Sequence, residues 1–460
     1  MDTHAVTLLV TVDSLRADAL AAMPTVSALA REGAHFTRAY AHGNWTPFSF
    51  PSVLGSDHVF AEGSRLGPSS RPTLAERLRA GGVRTVGLNA ANGFLSEHWG
   101  YDRGFDAFET WLDGSGIDRL LAAHPTVGGW LQLVAAPGRR AFGIARGEGE
   151  HPAVDTSNLR ALERRAVESV READRPLFLW VHYMDTHTPY VPAPRHVRAV
   201  GGATGTASML RAHLRAGLGR EVGDRALADL RTCYDGAAHQ VDASVGRLLD
   251  ALSAAGLRDE TCVIVAGDHG EEFMDHGHLA HYPKLYSELI NVPLVVDAPD
   301  APARTVTAPV GLRSIPPTVC AAMGVAAPDL DAGSLLPVVR DGERPAPEPV
   351  LSVAVRGERV TQQPIPRRPE DGELLASART DRFTYIYHTR SGRRELYDRS
   401  ADPDERRDVS GTADHAPTVR RLHRAVERHV ARLDAADDGR KSADETPAAI
   451  ERRLDALGYR

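Results

Sequence analysis

Hydrophobic residues along this chain gather in short runs that stop abruptly at polar side chains. VTLLVTV at 6–12 runs straight into Asp13, and TCVIVA at 261–266 leads through Gly267 into Asp268 and His269. Similar runs at 83–88 (VRTVGL), 177–182 (LFLWVH) and 292–296 (VPLVV) have the length and β-branched content of buried strands. Between them the spacing turns helical. In 235–257, Val241, Val245, Leu248, Leu249 and Leu252 recur on one face, and Gly256 is placed to end the helix. Residues 72–81 and 159–172 follow the same pattern. Apolar strands alternating with amphipathic helices predict an α/β fold, with helices flanking a mostly parallel central sheet.

The texture then changes. Residues 326–350 are rich in Pro, Asp and Gly and read as a linker or irregular crossing. VLSVAV (350–355), LLASART (374–380) and RFTYIYHT (382–389) predict a small antiparallel sheet. A turn-rich stretch at 395–408 and a surface helix at 416–435 follow it. The expected organisation is an α/β catalytic domain over 1–345, a small C-terminal α+β subdomain over 346–435, and a polar tail or helix over 436–460.

Composition narrows the function classes. The 460 residues are 42% hydrophobic and 25% charged, with a formal net charge of −7 and no long basic block, which argues against a nucleic-acid partner. No apolar stretch approaches the ~20 residues needed to span a bilayer, so no membrane partner is expected. Residues 1–5 carry neither the basic nor the apolar region of a signal peptide. Cys233, Cys262 and Cys320 are dispersed and odd in number, which fits neither a disulfide framework nor a zinc pattern. A soluble, cytoplasmic protein is expected, with its oligomeric state open.

In open α/β sheets, ligands bind beyond the carboxyl ends of the strands. Asp13, Asp268 and His269 stand there, and carboxylates with imidazole are ligands for a divalent metal. Taken singly, Asp13 reads as a helix cap and His269 as a loop histidine. Taken jointly, with Gly270 and Glu271 beyond, they point to one metal site assembled from distant parts of the chain. In HGNWTPFSFPSVLGS (42–56), Thr46, Ser49 and Ser52 enter a predicted helix with Pro47 and Pro51 in or near its first turn. A helix N-terminus favours phosphate or sulfate, and a hydroxyl touching a cation there would become a nucleophile. Alone, this segment reads as an N-cap.

Two further segments carry candidate chemistry. His187, in WVHYMDTHTPYVP (180–192), follows a strand end, suited to protonating a leaving group or binding an anion, or else an ordinary loop histidine. Four of the twenty histidines, His269, His276, His278 and His281, fall within thirteen residues. Lys284 follows them, in a chain whose only other lysine, Lys441, accompanies 52 arginines. Imidazoles and an ammonium suit an oxyanion pocket.

Taken in order, VDSLRAD, the 24–56 segment, PTLAERLRAGGVRTVG, YDRGFDAFE, LFLWVHYMDTHTPY, DETCVIVAGDHGEEF, PKLYSELINVPLVV and ELYDRSADPDE resemble the sulfatase family of the alkaline phosphatase superfamily. The resemblance spans residues 6 to about 410 and is weakest at 110–155 and 193–230, the loops expected to choose the organic part of the substrate. It implies the alkaline-phosphatase-like fold, with Asp13, Asp268 and His269 on the metal and Thr46 at the nucleophile position, its oxygen also on the metal. His187 and Lys284 match positions near the transferred group, and His278 is a looser match.

Departures from the family pattern shape the expected chemistry. The family oxidises a cysteine or serine in C/S-x-P-x-R to formylglycine. Here Thr46 falls at the oxidised position with Phe50 at the arginine, and a second register through Ser49 leaves Val53 where arginine belongs. No formylglycine is therefore expected, and Thr46 or Ser49 is the candidate nucleophile. The family's second aspartate is Ser14, and its lysine–histidine pair corresponds to Leu88 and the Asn89–Asn92 region, leaving Asn92 and Ser49 as candidate substrate contacts. The expectation is a hydrolase of a small anionic ester carrying one divalent metal (Mn, Zn, Fe or Ca), the carboxylate–imidazole set weighing mildly against Ca. A single metal suits a phosphodiester, phosphonate monoester or sulfate ester; unmodified threonine tilts the choice toward phosphorus. A phosphoryl transferase and a catalytically silent binding homologue are the rivals.

Overall fold

Asp13 and Asp268 lie side by side because the strands that carry them are neighbours in one sheet. The computed structural model describes residues 4–63, 66–90, 92–111, 157–173, 176–202, 211, 215, 222–299, 301–357 and 372–435. The expected tail at 436–460, most of the segment at 110–155, and residues 203–210, 212–214 and 216–221 of the segment at 193–230 lie outside the described residues. The central sheet comprises β1 (Val6–Val12), β2 (Ala34–Phe36), β3 (Arg84–Asn89), β4 (Ala107–Thr110), β5 (Leu177–Tyr183), β6 (Thr261–Gly267), β7 (Leu294–Asp297) and β8 (Arg304–Val306). Their spatial order is β8-β2-β7-β6-β1-β5-β3-β4. Strand β1 pairs in parallel with β5 and β6, and β3 in parallel with β4 and β5, so their carboxyl ends open on one edge.

Every residue of β1, β5 and β6 is buried, as expected for strands covered on both faces. Alternate side chains serve opposite layers. Leu8, Val10 and Val12 pack with residues of helices α1 (Pro24–Glu32), α3 (Leu159–Arg171) and α4 (Asp224–Ala254). Leu9, Trp180 and Ile264 pack with residues of α2 (Thr46–Gly55) on the other side. All ten residues of α2 are buried, and Pro47 sits in its first turn, where no N–H donor is needed. Ser56, at φ 62°, ends the helix in the left-handed region.

Four antiparallel strands, β9 (Val350–Arg356), β10 (Glu373–Arg379), β11 (Phe383–His388) and β12 (Arg394–Asp398), form the C-terminal sheet, and α5 (Ala416–Ala435) lies against β10 and β11. This sheet shares its core with the α2 face, since Val353, Leu375 and Leu422 join the cluster that holds Phe36 and Phe50.

Several elements depart from the pattern-based expectation. The run at 292–296 is broken at Pro293, which has no N–H to give a ladder. Asn291–Val292 pairs with Ala39–Tyr40, while β7 joins the main sheet antiparallel to β6 and β2. Strands β2, β4 and β8, of three or four residues, are too short to show a period. The presumed linker contains the helix Leu336–Asp341. Among the described residues, no helix is long and apolar enough to cross a membrane.

Candidate metal centre and its surroundings

Val12 pairs with Gly267 in the β1–β6 ladder, so Asp13 and Asp268 leave the sheet as direct neighbours. Gly267 and Gly270 make this turn: a Cβ on Gly267 would lie 2.5 Å from the Leu15 carbonyl oxygen, and one on Gly270 2.0 Å from that of Glu288. Ser14, a non-glycine residue at φ 57°, links the two carboxylates. Its N–H donates to Asp268 Oδ1 (3.0 Å) and its hydroxyl to Asp13 Oδ1 (2.9 Å). Strained backbone of this kind persists where surrounding contacts hold it.

The donor set fits a metal ion. One ligand atom each from Asp13, Asp268 and His269 lies within 4.8 Å of the others, and all three residues are buried. His269 Nδ1 is 2.9 Å from the Gly270 carbonyl, which assigns its proton to Nδ1 and leaves the Nε2 lone pair facing the carboxylates. Nε2 is 3.6 Å from Asp13 Oδ1 and 3.7 Å from Asp268 Oδ2, close to the spacing of ligands sharing one ion at about 2–2.4 Å. Asp268 Oδ2 is a buried acceptor without a hydrogen-bond partner. Burial, and then the charge of Asp13, push the Asp268 carboxyl well above the usual range. Burial also acts to raise Asp13, but the His187, His182 and His269 imidazoles outweigh it and hold that carboxyl low. Two buried carboxylates so close need a cation to be ionised together.

Thr46 stands at this centre. Its Oγ1 donates to Asp13 Oδ2 at 3.1 Å and lies 3.4 Å from His269 Nε2. Asn92 Nδ2 reaches the same Asp13 oxygen at 2.8 Å and Thr46 Oγ1 at 3.4 Å, its amide oriented by the Phe94 N–H donating to Asn92 Oδ1 (3.0 Å). Ser49 points elsewhere, donating to the Asp268 carbonyl at 2.6 Å. His187 is buried, donates from Nδ1 to the Thr188 carbonyl at 2.6 Å, and has its pKa lowered by burial.

Lys284, expected near the transferred group, is held here by protein acceptors. Its ammonium has three protons, and Glu272 Oε1 (2.9 Å), Glu272 Oε2 (2.9 Å) and the His276 carbonyl (2.6 Å) accept them. His278, half-buried, stacks on Tyr282 with centroids 4.0 Å apart. The structure thus joins Asp13, Asp268, His269, Thr46 and Asn92, sets His187 beside them, and groups Lys284 and His278 with Glu272, His276 and Tyr282.

Two residues near the centre were not singled out by the sequence pattern. His281 lies nearer the centre than His278: its ring is 5.2 Å from those of both His187 and His269, and its Nδ1 is 3.3 Å from Glu271 Oε2. The histidine-dense segment was the signal, but spacing could not rank its members. His182 is fully buried with Nε2 3.7 Å from Asp13 Oδ2. Its signal was an imidazole near the end of an otherwise apolar strand.

A family model described as Sulfatase matches residues 6–325. Arylsulfatase K of Xenopus laevis is 26% identical over 197 residues, covering 41% of this chain and 35% of its own length. The chain therefore spans about a third of the length of the curated relatives it matches first. Among solved structures, the phosphonate monoester hydrolase of Agrobacterium radiobacter superposes with a TM-score of 0.68 at 22% identity, covering 94% of this chain and 95% of that one. The phosphonate monoester hydrolase SpPMH from Silicibacter pomeroyi gives 0.69 at 21%, covering 94% and 96%. At these identities the likeness is one of fold.

Proposed function

Since the chain belongs to the sulfatase family, we propose that it is a metal-dependent hydrolase of a small monoanionic ester, a phosphodiester or phosphonate monoester before a sulfate ester, with unmodified Thr46 as nucleophile. The observation that carries this reading is the Thr46 hydroxyl, 3.1 Å from Asp13 Oδ2 and 3.4 Å from His269 Nε2. Threonine is a secondary alcohol, so oxidation at its Cβ gives a ketone, not the aldehyde of formylglycine.

Asp13, Asp268 and His269 would hold one divalent cation, which supplies positive charge to the nonbridging oxygens and to the Thr46 oxygen. Asp13 Oδ2 is placed to accept the Thr46 proton as Oγ1 attacks phosphorus. The bond from phosphorus to the leaving oxygen breaks, a buried histidine beside the centre gives that oxygen a proton, and Thr46 carries the phosphoryl group until water releases it. His187 would stabilise the nonbridging oxygens, and Asn92 holds Asp13 Oδ2 in place for Thr46. Three buried, unpaired cysteines support a reducing compartment such as the cytoplasm.

The test assays wild type, Thr46→Ala and Ser49→Ala against a bis-aryl phosphodiester and an aryl sulfate, with metal content measured alongside. Phosphodiester turnover lost in Thr46→Ala and kept in Ser49→Ala is the expected result. Undiminished turnover in Thr46→Ala would overturn the assigned nucleophile, and turnover of the aryl sulfate alone would move the substrate to sulfur.

A further inference from the structure

His182 has a part in this centre that the proposed chemistry does not use. It stands opposite Thr11 in the parallel β1–β5 ladder. Trp180 Nε1, which can only donate, bonds to Thr11 Oγ1 at 2.9 Å, and the same oxygen is 2.9 Å from His182 Nδ1. An oxygen that accepts the indole N–H offers its own proton to Nδ1, leaving the imidazole proton on Nε2. The surroundings agree, because a lone pair on Nε2 would face the Asp13 carboxylate with nothing to accept. Nε2 lies 3.7 Å from Asp13 Oδ2 and has no hydrogen-bond partner. The ring is braced edge-on by Phe50 of α2, with centroids 5.0 Å apart. Trp180, Thr11, His182 and Asp13 are all fully buried, so water does not compete for these contacts.

The two oxygens of Asp13 have different neighbours. Oδ1 faces His269 Nε2 at 3.6 Å and accepts from Ser14. Oδ2 accepts from Thr46 and Asn92 and faces His182. We infer that His182, oriented by the Trp180–Thr11 line, is a positioning residue that commits Oδ1 of Asp13 to the cation and reserves Oδ2 for the Thr46 hydroxyl. A carboxylate without such a partner is free to turn or to close on the ion with both oxygens, and ordered outer partners of this kind raise metal affinity. The inference rests on the metal reading proposed above.

Calorimetric titration of the chelated full-length protein with Mn2+ and, separately, Zn2+ tests it. Thr11→Val keeps the shape of the side chain but removes the hydroxyl, and His182→Leu removes the ring N–H; each is expected to weaken affinity by about 10- to 100-fold. Thr11→Ser restores the hydroxyl and His182→Gln restores a donor near Nε2, and both are expected within a few-fold of wild type. The pattern of loss and rescue distinguishes positioning from packing, since a packing role would not follow the hydroxyl. If His182→Leu fails to fold, the Thr11 pair still decides. Wild-type affinity in Thr11→Val and His182→Leu, beside a wild type that binds, would overturn this inference alone. A wild type that binds neither ion would overturn the metal reading and this inference with it.

Discussion

Thr46 Oγ1 donates a hydrogen bond to Asp13 Oδ2 at 3.1 Å, joining the first turn of α2 to the carboxyl end of β1. Ser49, one turn further along α2, gives its proton to the backbone of Asp268 instead. Thr46→Ala is therefore expected to lower kcat roughly a thousandfold or more, the scale of deleting a nucleophile. Ser49→Ala is expected to cost about tenfold or less, and Thr46→Ser to keep a measurable part of the rate. Steady-state kinetics on the three variants, with mass spectrometry for a phosphoryl adduct at residue 46, checks this ordering.

Asp268 presents a sharper test because its two states pull in opposite directions. Without a cation its Oδ2 is a buried orphan beside the Asp13 charge. Asp268→Asn removes that repulsion while keeping an oxygen for the Ser14 and His269 N–H groups, which now donate to Oδ1 at 3.0 and 2.8 Å. Chelated Asp268→Asn is expected to melt at or above the chelated wild type. Added metal at a hundredfold its Kd is expected to stabilise wild type by about 2.7 kcal/mol and the variant by far less. A chelated variant clearly less stable than chelated wild type would contradict this account of the centre.

The parts of this site that were legible in the sequence are those fixed by local pattern. An apolar run ending in Asp13 and another ending in Asp268 and His269 announced strands and the polar side chains at their ends, because burial on both faces demands continuous hydrophobicity. Strand direction leaves no such mark, so the antiparallel β7 after Pro293 was unreadable. Residue type also does not reveal a partner. Lys284 had the right chemistry for an oxyanion pocket, yet Glu272, twelve residues earlier, accepts two of its protons. His182 and His281 owe their positions to neighbours across the sheet and in the folded loop, contacts that no spacing encodes.

Lys284 and Glu272 form a buried ion pair, with side chains 6% and 0% exposed. Removing one member of such a pair strands the other charge. Lys284→Met is therefore expected to destabilise the protein by roughly 3–5 kcal/mol, and Lys284→Met/Glu272→Leu to recover most of the loss. Specific activity per folded molecule is expected to change only a few-fold. Urea denaturation monitored with active-site titration separates the two effects, and a large loss in kcat with unchanged stability would return Lys284 to the transferred group.

Acid sensitivity follows from a second histidine group, His42, His58 and His429. Their rings stack edge to face, with centroids 4.8 and 4.3 Å apart, where α5, packed on the C-terminal sheet, meets the segment after α2. Each has a buried ring nitrogen without a hydrogen-bond partner. Burial, reinforced by the Arg313 charge, lowers His42 to about 3 and, with Arg432 as well, His429 to about 4. Burial and the neighbouring imidazoles hold His58 well below its ordinary value too. A base whose folded pKa lies below its unfolded value takes up its proton more readily when unfolded, so acid favours unfolding. Stability is expected to be at its plateau above about pH 6.5 and to fall from there toward pH 4, each such imidazole contributing a slope of about 1.4 kcal/mol per pH unit. His429→Leu removes one of these protons without adding charge, and is expected to make the slope between pH 6 and 4.5 shallower by about that amount. Chemical denaturation across this range decides the matter, because wild type and variant share every carboxylate and differ only in this imidazole; parallel slopes would show that His429 does not titrate on unfolding.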